Sequence, residues 1–309
     1  MIVGRFAPSP TGPLHVGNLR TALLAWLGAR SVGGTMLLRV EDLDRHTSSP
    51  ENERSQIDDL RRLGLEFPEH CIRQSERFAL YEDAISDLSS RGLTYECWCS
   101  RREIREAASA PNERPVSDGA PELAYPGTCR DLSATQRRER QESGRRPALR
   151  LRADGEAITF HDLVRGETTG IVDDVVLRRN DGVPAYNLAV VIDDADQGVD
   201  QVVRGDDIAS STPRQIHLQR LLGLTTPTYA HVPLVVGGDG ERLAKRHGAV
   251  TLADLAAIGV DAPGVRDELV RSLGVVATTN LEEAARRFEW PLVPRSRWTI
   301  PDHWQTGKP

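Results

Sequence analysis

Cysteine is scarce: the chain has four in 309 residues, Cys71, Cys97, Cys99 and Cys129. Four thiols in a chain this long do not make the disulfide framework of a small secreted domain. No apolar run approaches the roughly 18 residues that span a bilayer. The N-terminus lacks the basic-then-apolar pattern of a secretory signal. A cytoplasmic protein without a membrane partner is therefore expected. Internal repeats and long low-complexity segments are also absent, and with them a repeat architecture. An excess of positive charge is missing too: 39 basic residues face 45 acidic ones, a net charge of −6. That sum argues against nucleic acid as a partner, but a local basic face remains able to bind one, because placement of Lys and Arg decides binding.

What is present is the composition of a globular protein, 39% hydrophobic and 27% charged, long enough to bury a substantial core in one or two domains. The chain is organised around its first twenty-five residues. Residues 2–6 are apolar and read as a strand. Pro8, Pro10, Gly12 and Pro13 break regular structure. From Val16 the apolar residues Val16, Leu19, Leu23, Leu24 and Leu27 follow helical spacing. Strand, tight turn and helix place His15 and Gly17 at a helix mouth, where first-turn N–H groups and the macrodipole favour a phosphate. Gly17, without a Cβ, lets a ligand approach the backbone, and His15 can donate to a phosphoryl oxygen.

Further along, residues 35–44 read as a strand ending in carboxylates, with Glu41 and Asp42 at the end where open parallel sheets bind ligands. Asp42 and Asp44 read equally as a solvated acidic loop. Helices are expected over 49–63, with Gly64 as stop, and over 75–88. The stretch at about 95–180 departs from the strand–helix rhythm and reads as an α+β insertion between two halves of a nucleotide-binding fold. It carries a polar segment over 107–126, a charged helix over 130–143, an alternating A-L-R-L-R strand and an Asn180-Asp181-Gly182 hairpin turn. Residues 186–194 then read as a strand or other buried segment, 214–222 as a helix, and 229–236 as a buried strand before a G-G-D-G turn. Short helices are expected over 252–257 and 265–273, and the Pro- and Trp-rich tail from 290 reads as poorly ordered. Cys97-x-Cys99 with Tyr125-x-x-x-Cys129 is a metal candidate, since zinc favours four ligands. The spacing alone also fits buried thiols or a redox pair. Cys71, outside the pattern, reads as a buried structural thiol.

The string R-F-A-P-S-P-T-G-x-L-H-x-G-x-x-R-T-A-L at the N-terminus resembles the signature of class I aminoacyl-tRNA synthetases of the glutamyl type, with H-V-G-N in place of H-I-G-H. Asn18 departs from the general motif at a position where glutamyl-type enzymes vary. Arg242-Leu243-Ala244-Lys245-Arg246 stands where that family carries K-M-S-K-S, and Lys245 reproduces one of its lysines. A full glutamyl-tRNA synthetase continues with an anticodon-binding region, whereas this chain ends soon after the second signature. In this it resembles a truncated paralogue group, which activates glutamate without tRNA and loads it onto the queuosine base in the anticodon of tRNA(Asp).

The resemblance covers roughly residues 1–280 and carries several implications. The fold would be α/β, a Rossmann-like parallel sheet over 1–250 interrupted by the insertion. A small helical region would follow over 251–309, without an anticodon-binding domain. His15 and Lys245 would be catalytic, and His15, Gly17, Asn18 and Lys245 would meet ATP, which comes with Mg²⁺. Arg5, Ala7, Ser9, Glu41, Tyr186 and Arg204 would bind L-glutamate: two arginines match two carboxylates and Glu41 meets the ammonium. One structural zinc would be held by Cys97, Cys99, Tyr125 and Cys129. The partners would be glutamate, ATP and queuosine-bearing tRNA(Asp), and the protein would act as a monomer. Two alternatives stand beside this: a glutamyl-tRNA synthetase core without its anticodon domain, and a non-catalytic RNA-binding relic.

Overall fold

The computed structural model describes residues 1–108, 124–240, 250–276 and 280–304. The chain begins β1 (Val3–Phe6), α1 (Val16–Arg30), β2 (Thr35–Val40), α2 (Pro50–Arg62), β3 (Ile72–Arg73) and α3 (Phe78–Ser90). The local signals act as the sequence suggests. Ser49 caps α2, its hydroxyl accepting from Asn52 N, with Pro50 in the first turn. Gly64 and Gly92, at φ 83° and 71°, follow α2 and α3 in the left-handed conformation that glycine adopts without strain. Helix α1 is buried on nearly every side, as an apolar helix enclosed between other elements must be. It lies on β1 and β9 (Gln201–Gly205), with α9 (Ala262–Ser272) and α10 (Leu281–Arg287) on its other side.

The stretch over 95–180 divides between two sheets. β4 (Thr94–Cys97), β5 (Ala148–Leu151) and β8 (Val176–Arg178) form a small antiparallel sheet, with α4 (Arg101–Ala108) and α5 (Ala134–Glu142) between the first two. β6 (Ala157–Asp162) and β7 (Gly166–Ile171) form a hairpin that extends the main sheet instead. That sheet runs β3-β2-β1-β9-β10-β6-β7, with β10 at Thr228–Val232, and every pairing in it is parallel except β6 with β7. β1 therefore sits between β2 and β9, where the strand order reverses. The space beyond the carboxyl ends of β1, β2 and β9 is the crevice in which open α/β sheets bind ligands.

Three expectations change. Residues 186–194 are not a strand: α6 spans Tyr186–Asp196. A short apolar run does not distinguish strand from buried helix by periodicity, and this one is helical because two faces are covered, by α3 and by α7 (Thr212–Leu222). The 229–236 run splits at Pro233 into β10 and β11 (Val235–Val236), since proline cannot donate to a ladder. The Asn180-Asp181-Gly182 turn forms, but only an Arg178–Pro184 bridge flanks it before α6 begins. The expected helix at 252–257 is α8 (Leu252–Ala257), and Cys71 is buried.

The tail is packed rather than loose as far as it is described. β12 (Trp298–Thr299) pairs with β11, and Ile300 and Trp304 join the core that holds α1, α9 and α10. Gly274 (φ 84°) has Leu292 O 2.2 Å from where a Cβ would stand, so the tail presses directly on the end of α9. Among the described residues no helix is long and apolar enough to cross a membrane. Trp304 is 4% exposed and meets Trp298 edge-to-face at 6.0 Å. Trp304→Ala is expected to lower unfolding stability by about 3–5 kcal/mol, read from urea denaturation. An unchanged midpoint would mean that the tail adds nothing to the core.

Candidate functional site

The mouth of α1 is closed by its own residues. His15 is the N-cap, and its Nδ1 accepts from Gly17 N at 3.1 Å and Asn18 N at 3.4 Å. Asn18 Oδ1 accepts in return from His15 N at 3.2 Å, which completes a capping box. Val16 N donates to Val250 O at 2.9 Å and Leu19 N to His15 O at 3.1 Å. The expectation of open first-turn N–H groups is therefore corrected: each has an internal acceptor. The reading of Gly17 widens with it. A Cβ there would stand 2.8 Å from His15 Cε1, so the missing side chain also makes room for the imidazole. Because Nδ1 accepts, the neutral ring carries its proton on Nε2, a tautomer assigned from these partners. Lys245 and the rest of Arg242-Leu243-Ala244-Lys245-Arg246 lie outside the described residues, as does most of the polar 107–126 segment. Val250 and Thr251, just beyond that basic run, are joined to the mouth of α1 through Val16 N and a His15–Thr251 bridge.

Next to the mouth lies a buried charge cluster. Arg5, on β1, donates from Nε to Asp194 Oδ1 and from Nη1 to Val203 O, both at 3.2 Å. Arg39, on β2, is wholly buried; its Nη1 lies 2.7 Å from Asp194 Oδ1 and its Nη2 3.4 Å from Glu41 Oε1. Asp193, also fully buried, accepts from Arg77 Nε at 2.7 Å, Gln74 Nε2 at 2.8 Å and the Tyr81 hydroxyl at 2.9 Å. Burial opposes the charge of Asp194, yet the Arg5 and Arg39 guanidinia hold its carboxyl below the usual range. Burial wins at Glu41, whose carboxyl is pushed up although Arg39 and Arg5 pull against it. A further cation beside Glu41 would favour its charged form.

Arg204, on β9, donates from Nη1 to the Tyr186 hydroxyl at 3.4 Å and from Nη2 to Thr212 Oγ1 at 2.8 Å. Its Nε donates to His231 Nε2 at 3.1 Å. Ala7 and Ser9 follow β1, and the loop is tied down: Glu41 N donates to Pro8 O at 3.0 Å and Gln56 Nε2 to Ser9 O at 3.0 Å. Asp42 is neither ligand nor loose loop, since both its oxygens accept from Ser75. Asp44 is an exposed turn residue that accepts from His46 N and the Thr47 hydroxyl.

A cleft of about 1550 Å³ lies at the edge of this cluster. Ser9, Glu41 and Tyr186 line it, and so do Cys97, Cys99 and Tyr125. The Sγ atoms of Cys97, Cys99 and Cys129 all lie within 4.8 Å of one another. Tyr125 joins them, with its hydroxyl 3.4 Å from Cys97 Sγ and 3.7 Å from Cys99 Sγ. Cys129 N donates to the same phenol oxygen at 2.8 Å, and the Arg150 guanidinium lies 3.7 Å from the Tyr125 ring centroid. Hydrogen bonds from Cys129 and Cys99 hold the Cys97 thiol well below its ordinary range. Three converging sulfurs, one of them readily ionised, are able to hold a metal, because the ligand form is the thiolate.

The sequence patterns did not single out Arg39, Asp193, Asp194, Asp162 or His231. The available signal was Asp193-Asp194 itself, two adjacent acids within an otherwise apolar run.

The chain matches the family described as tRNA synthetases class I (E and Q), catalytic domain, over residues 1–283, and it belongs to that family. Among its relatives, the glutamyl-Q tRNA(Asp) synthetase of Nocardia farcinica is 55% identical over 97% of this chain and 93% of its own. That of Symbiobacterium thermophilum is 46% identical over 97% of this chain and 96% of its own. The glutamate–tRNA ligase of Nitrosospira multiformis is 45% identical over 82% of this chain but only 53% of its own. A glutamate tRNA ligase structure from Elizabethkingia meningosepticum shares the fold with a TM-score of 0.74 at 24% identity, covering 98% of this chain and 68% of that one.

Alanine ordinarily stabilises a helix relative to glycine by about 1 kcal/mol. Gly17→Ala is expected to act oppositely on activity, driving the His15 ring off the helix mouth. ATP–pyrophosphate exchange should fall at least tenfold with the circular dichroism spectrum unchanged. Wild-type exchange in this variant would show that the ring's seat over Gly17 is dispensable.

Proposed function

We propose that this enzyme activates L-glutamate with ATP, without tRNA, and transfers the glutamyl group to the queuosine base in the anticodon of tRNA(Asp). The single observation that carries the amino-acid half is the polarised pocket at the ends of β1, β2 and β9. Among the described residues Glu41 shares its arginine, Arg39, with Asp194, and the hydrogen-bond partners of Arg204 are uncharged. A glutamate zwitterion supplies a partner to each, with its ammonium for Glu41 and a carboxylate for Arg204. Arg5, Ala7, Ser9 and Tyr186 shape the rest of the pocket. The choice of RNA rests on relatives: those named glutamyl-Q tRNA(Asp) synthetase match this chain over nearly their whole length.

Activation joins the glutamate carboxylate to the α-phosphorus of ATP and releases pyrophosphate. Charge grows on the phosphoryl oxygens, so positioning and electrostatics supply most of the catalysis. His15 presents its Nε2 donor there, with Nδ1 fixed by the helix it caps. Gly17 and Asn18 hold that ring, and Lys245 serves the departing phosphates, with Mg²⁺ accompanying ATP as part of the substrate. Residues 1–250 make up the catalytic unit in this reading, with 251–309 as a supporting region, and the enzyme works as a cytoplasmic monomer. Cys97, Cys99, Tyr125 and Cys129 hold one structural zinc; the donor set fits, with three sulfurs and a phenol oxygen in mutual reach. Bound zinc would tie Cys97 and Cys99 to Tyr125 and Cys129 across the sequence between them. No catalytic step is assigned to it.

The experiment is acylation with labelled glutamate of tRNA(Asp) from cells with and without queuosine. Label is expected only on the queuosine-bearing RNA, and an anticodon stem-loop should suffice as substrate. Labelling of tRNA(Glu) at its 3′ end would favour a glutamyl-tRNA synthetase core instead. Absence of glutamate-dependent ATP–pyrophosphate exchange would favour a non-catalytic relic. His15→Ala and Lys245→Ala should each slow exchange at least tenfold.

Purified protein should contain about one zinc per chain. Cys99→Ser should lose the metal and unfold at lower temperature, because ligation contributes folding energy. Protein free of zinc with its thiols reduced would refute the metal assignment and leave the glutamate assignment standing.

A further inference from the structure

Behind Arg204 stands a second layer of buried side chains. Arg204 and His231 are directly paired across the parallel strands β9 and β10, so their side chains leave the sheet on one face, side by side. His231 Nδ1 lies 2.5 Å from Asp162 Oδ2, and both residues are completely buried. Asp162, at the end of β6, also accepts from three backbone N–H groups, those of Val164, Arg165 and His231. The direction of the chain follows from its end members. A guanidinium only donates, so His231 Nε2 is the acceptor for Arg204 Nε, and Nδ1 carries the proton that goes to Asp162. Thr212 Oγ1, 3.1 Å from the same Nε2, accepts from Arg204 Nη2. Burial lowers the pKa of His231 despite the Asp162 hydrogen bond, which keeps the ring neutral and its Nε2 free to accept.

Arg204 therefore differs from the other guanidinia of the pocket. Arg5 and Arg39 share Asp194, whereas the hydrogen-bond partners of Arg204 are an imidazole, a hydroxyl and a phenol. The acid of its network, Asp162, is held off behind the imidazole. We propose that Asp162, His231 and Thr212 are positioning residues that fix Arg204 while leaving it without a carboxylate of its own, so that a carboxylate of the substrate completes it and the corresponding amide does not. This rests on the glutamate-activating reading above. A direct Asp–Arg pair would neutralise the guanidinium and remove that selectivity. The imidazole holds the arginine as firmly without cancelling its charge, and an amide in its place would leave a buried charge uncompensated.

The test uses the full-length enzyme in glutamate-dependent ATP–pyrophosphate exchange. His231→Asn keeps a donor near the Nδ1 position for Asp162 but removes the acceptor for Arg204. His231→Gln puts a carbonyl oxygen near the Nε2 position. The asparagine variant should raise KM for glutamate at least tenfold, leave KM for ATP unchanged, and narrow the preference for glutamate over glutamine by a similar factor. The glutamine variant should recover most of both losses. Thr212→Val, close to isosteric, should show the same pattern more weakly and covers the case in which the asparagine variant does not fold. A glutamate KM and glutamate preference near wild type in folded His231→Asn or Thr212→Val would overturn the proposal, as would equal rises in the KM of glutamate and ATP. If the wild type itself shows no glutamate-dependent exchange, the functional reading falls and the positioning role falls with it. A normal wild type with indifferent variants removes the positioning role alone.

Discussion

The architecture depends on one ionic constraint, the burial of Asp193 and Asp194 on α6 against arginines from β1, β2 and the start of α3. Transfer of ions out of water costs several kcal/mol each, and attraction offsets that only when partners and hydrogen bonds are complete. Here they nearly are. Asp193 has three donors and Asp194 has two guanidinia, so α6 can lie over the sheet in one register only. That register sets Tyr186, at the first turn of α6, beside Arg204. It also holds Arg5 and Arg39 rigid at the ends of their strands and brings Glu41 under their field. The cluster thus links the core to the pocket.

A second constraint acts at the mouth of α1. The capping box formed by His15 and Asn18 uses the donors that a bare helix end would offer to an anion. The His15 ring is held in one orientation by that box, seated where Gly17 lacks a Cβ. The bonds to Val250 and Thr251 tie the same helix end to the start of α8.

The metal candidate stands apart from both constraints. It belongs to the small antiparallel sheet, where Cys97 ends β4 and the chain returns through Tyr125 and Cys129. Arg150, beside the phenol, and the Cys129 amide both favour negative charge there. Burial pushes the Tyr125 phenol up, so the negative charge of the cluster falls on the Cys97 sulfur, and three sulfurs within 4.8 Å of one another are what a metal needs.

Local sequence was enough for anything decided by a few neighbouring residues. Ser49 and Pro50 start a helix, Gly64 and Gly92 end two, and the spacing of Val16, Leu19, Leu23 and Leu27 makes α1 a helix wherever it packs. The motifs likewise pointed to His15, Arg5, Glu41 and Arg204 as candidates, and the C-x-C…Y-x-x-x-C spacing gathered four side chains that do converge. Tertiary structure decided what depends on partners distant in the chain. It made residues 186–194 a helix, because only packing against α3 and α7 separates a buried helix from a buried strand of equal hydrophobicity. It ordered the tail by giving Trp304 and Ile300 a core to enter. It seated the His15 ring over Gly17. It also placed Asp194 and Asp162 behind the arginines of the pocket, since the countercharge of a buried guanidinium comes from whatever strand or helix the fold sets beside it, and no local pattern records that choice.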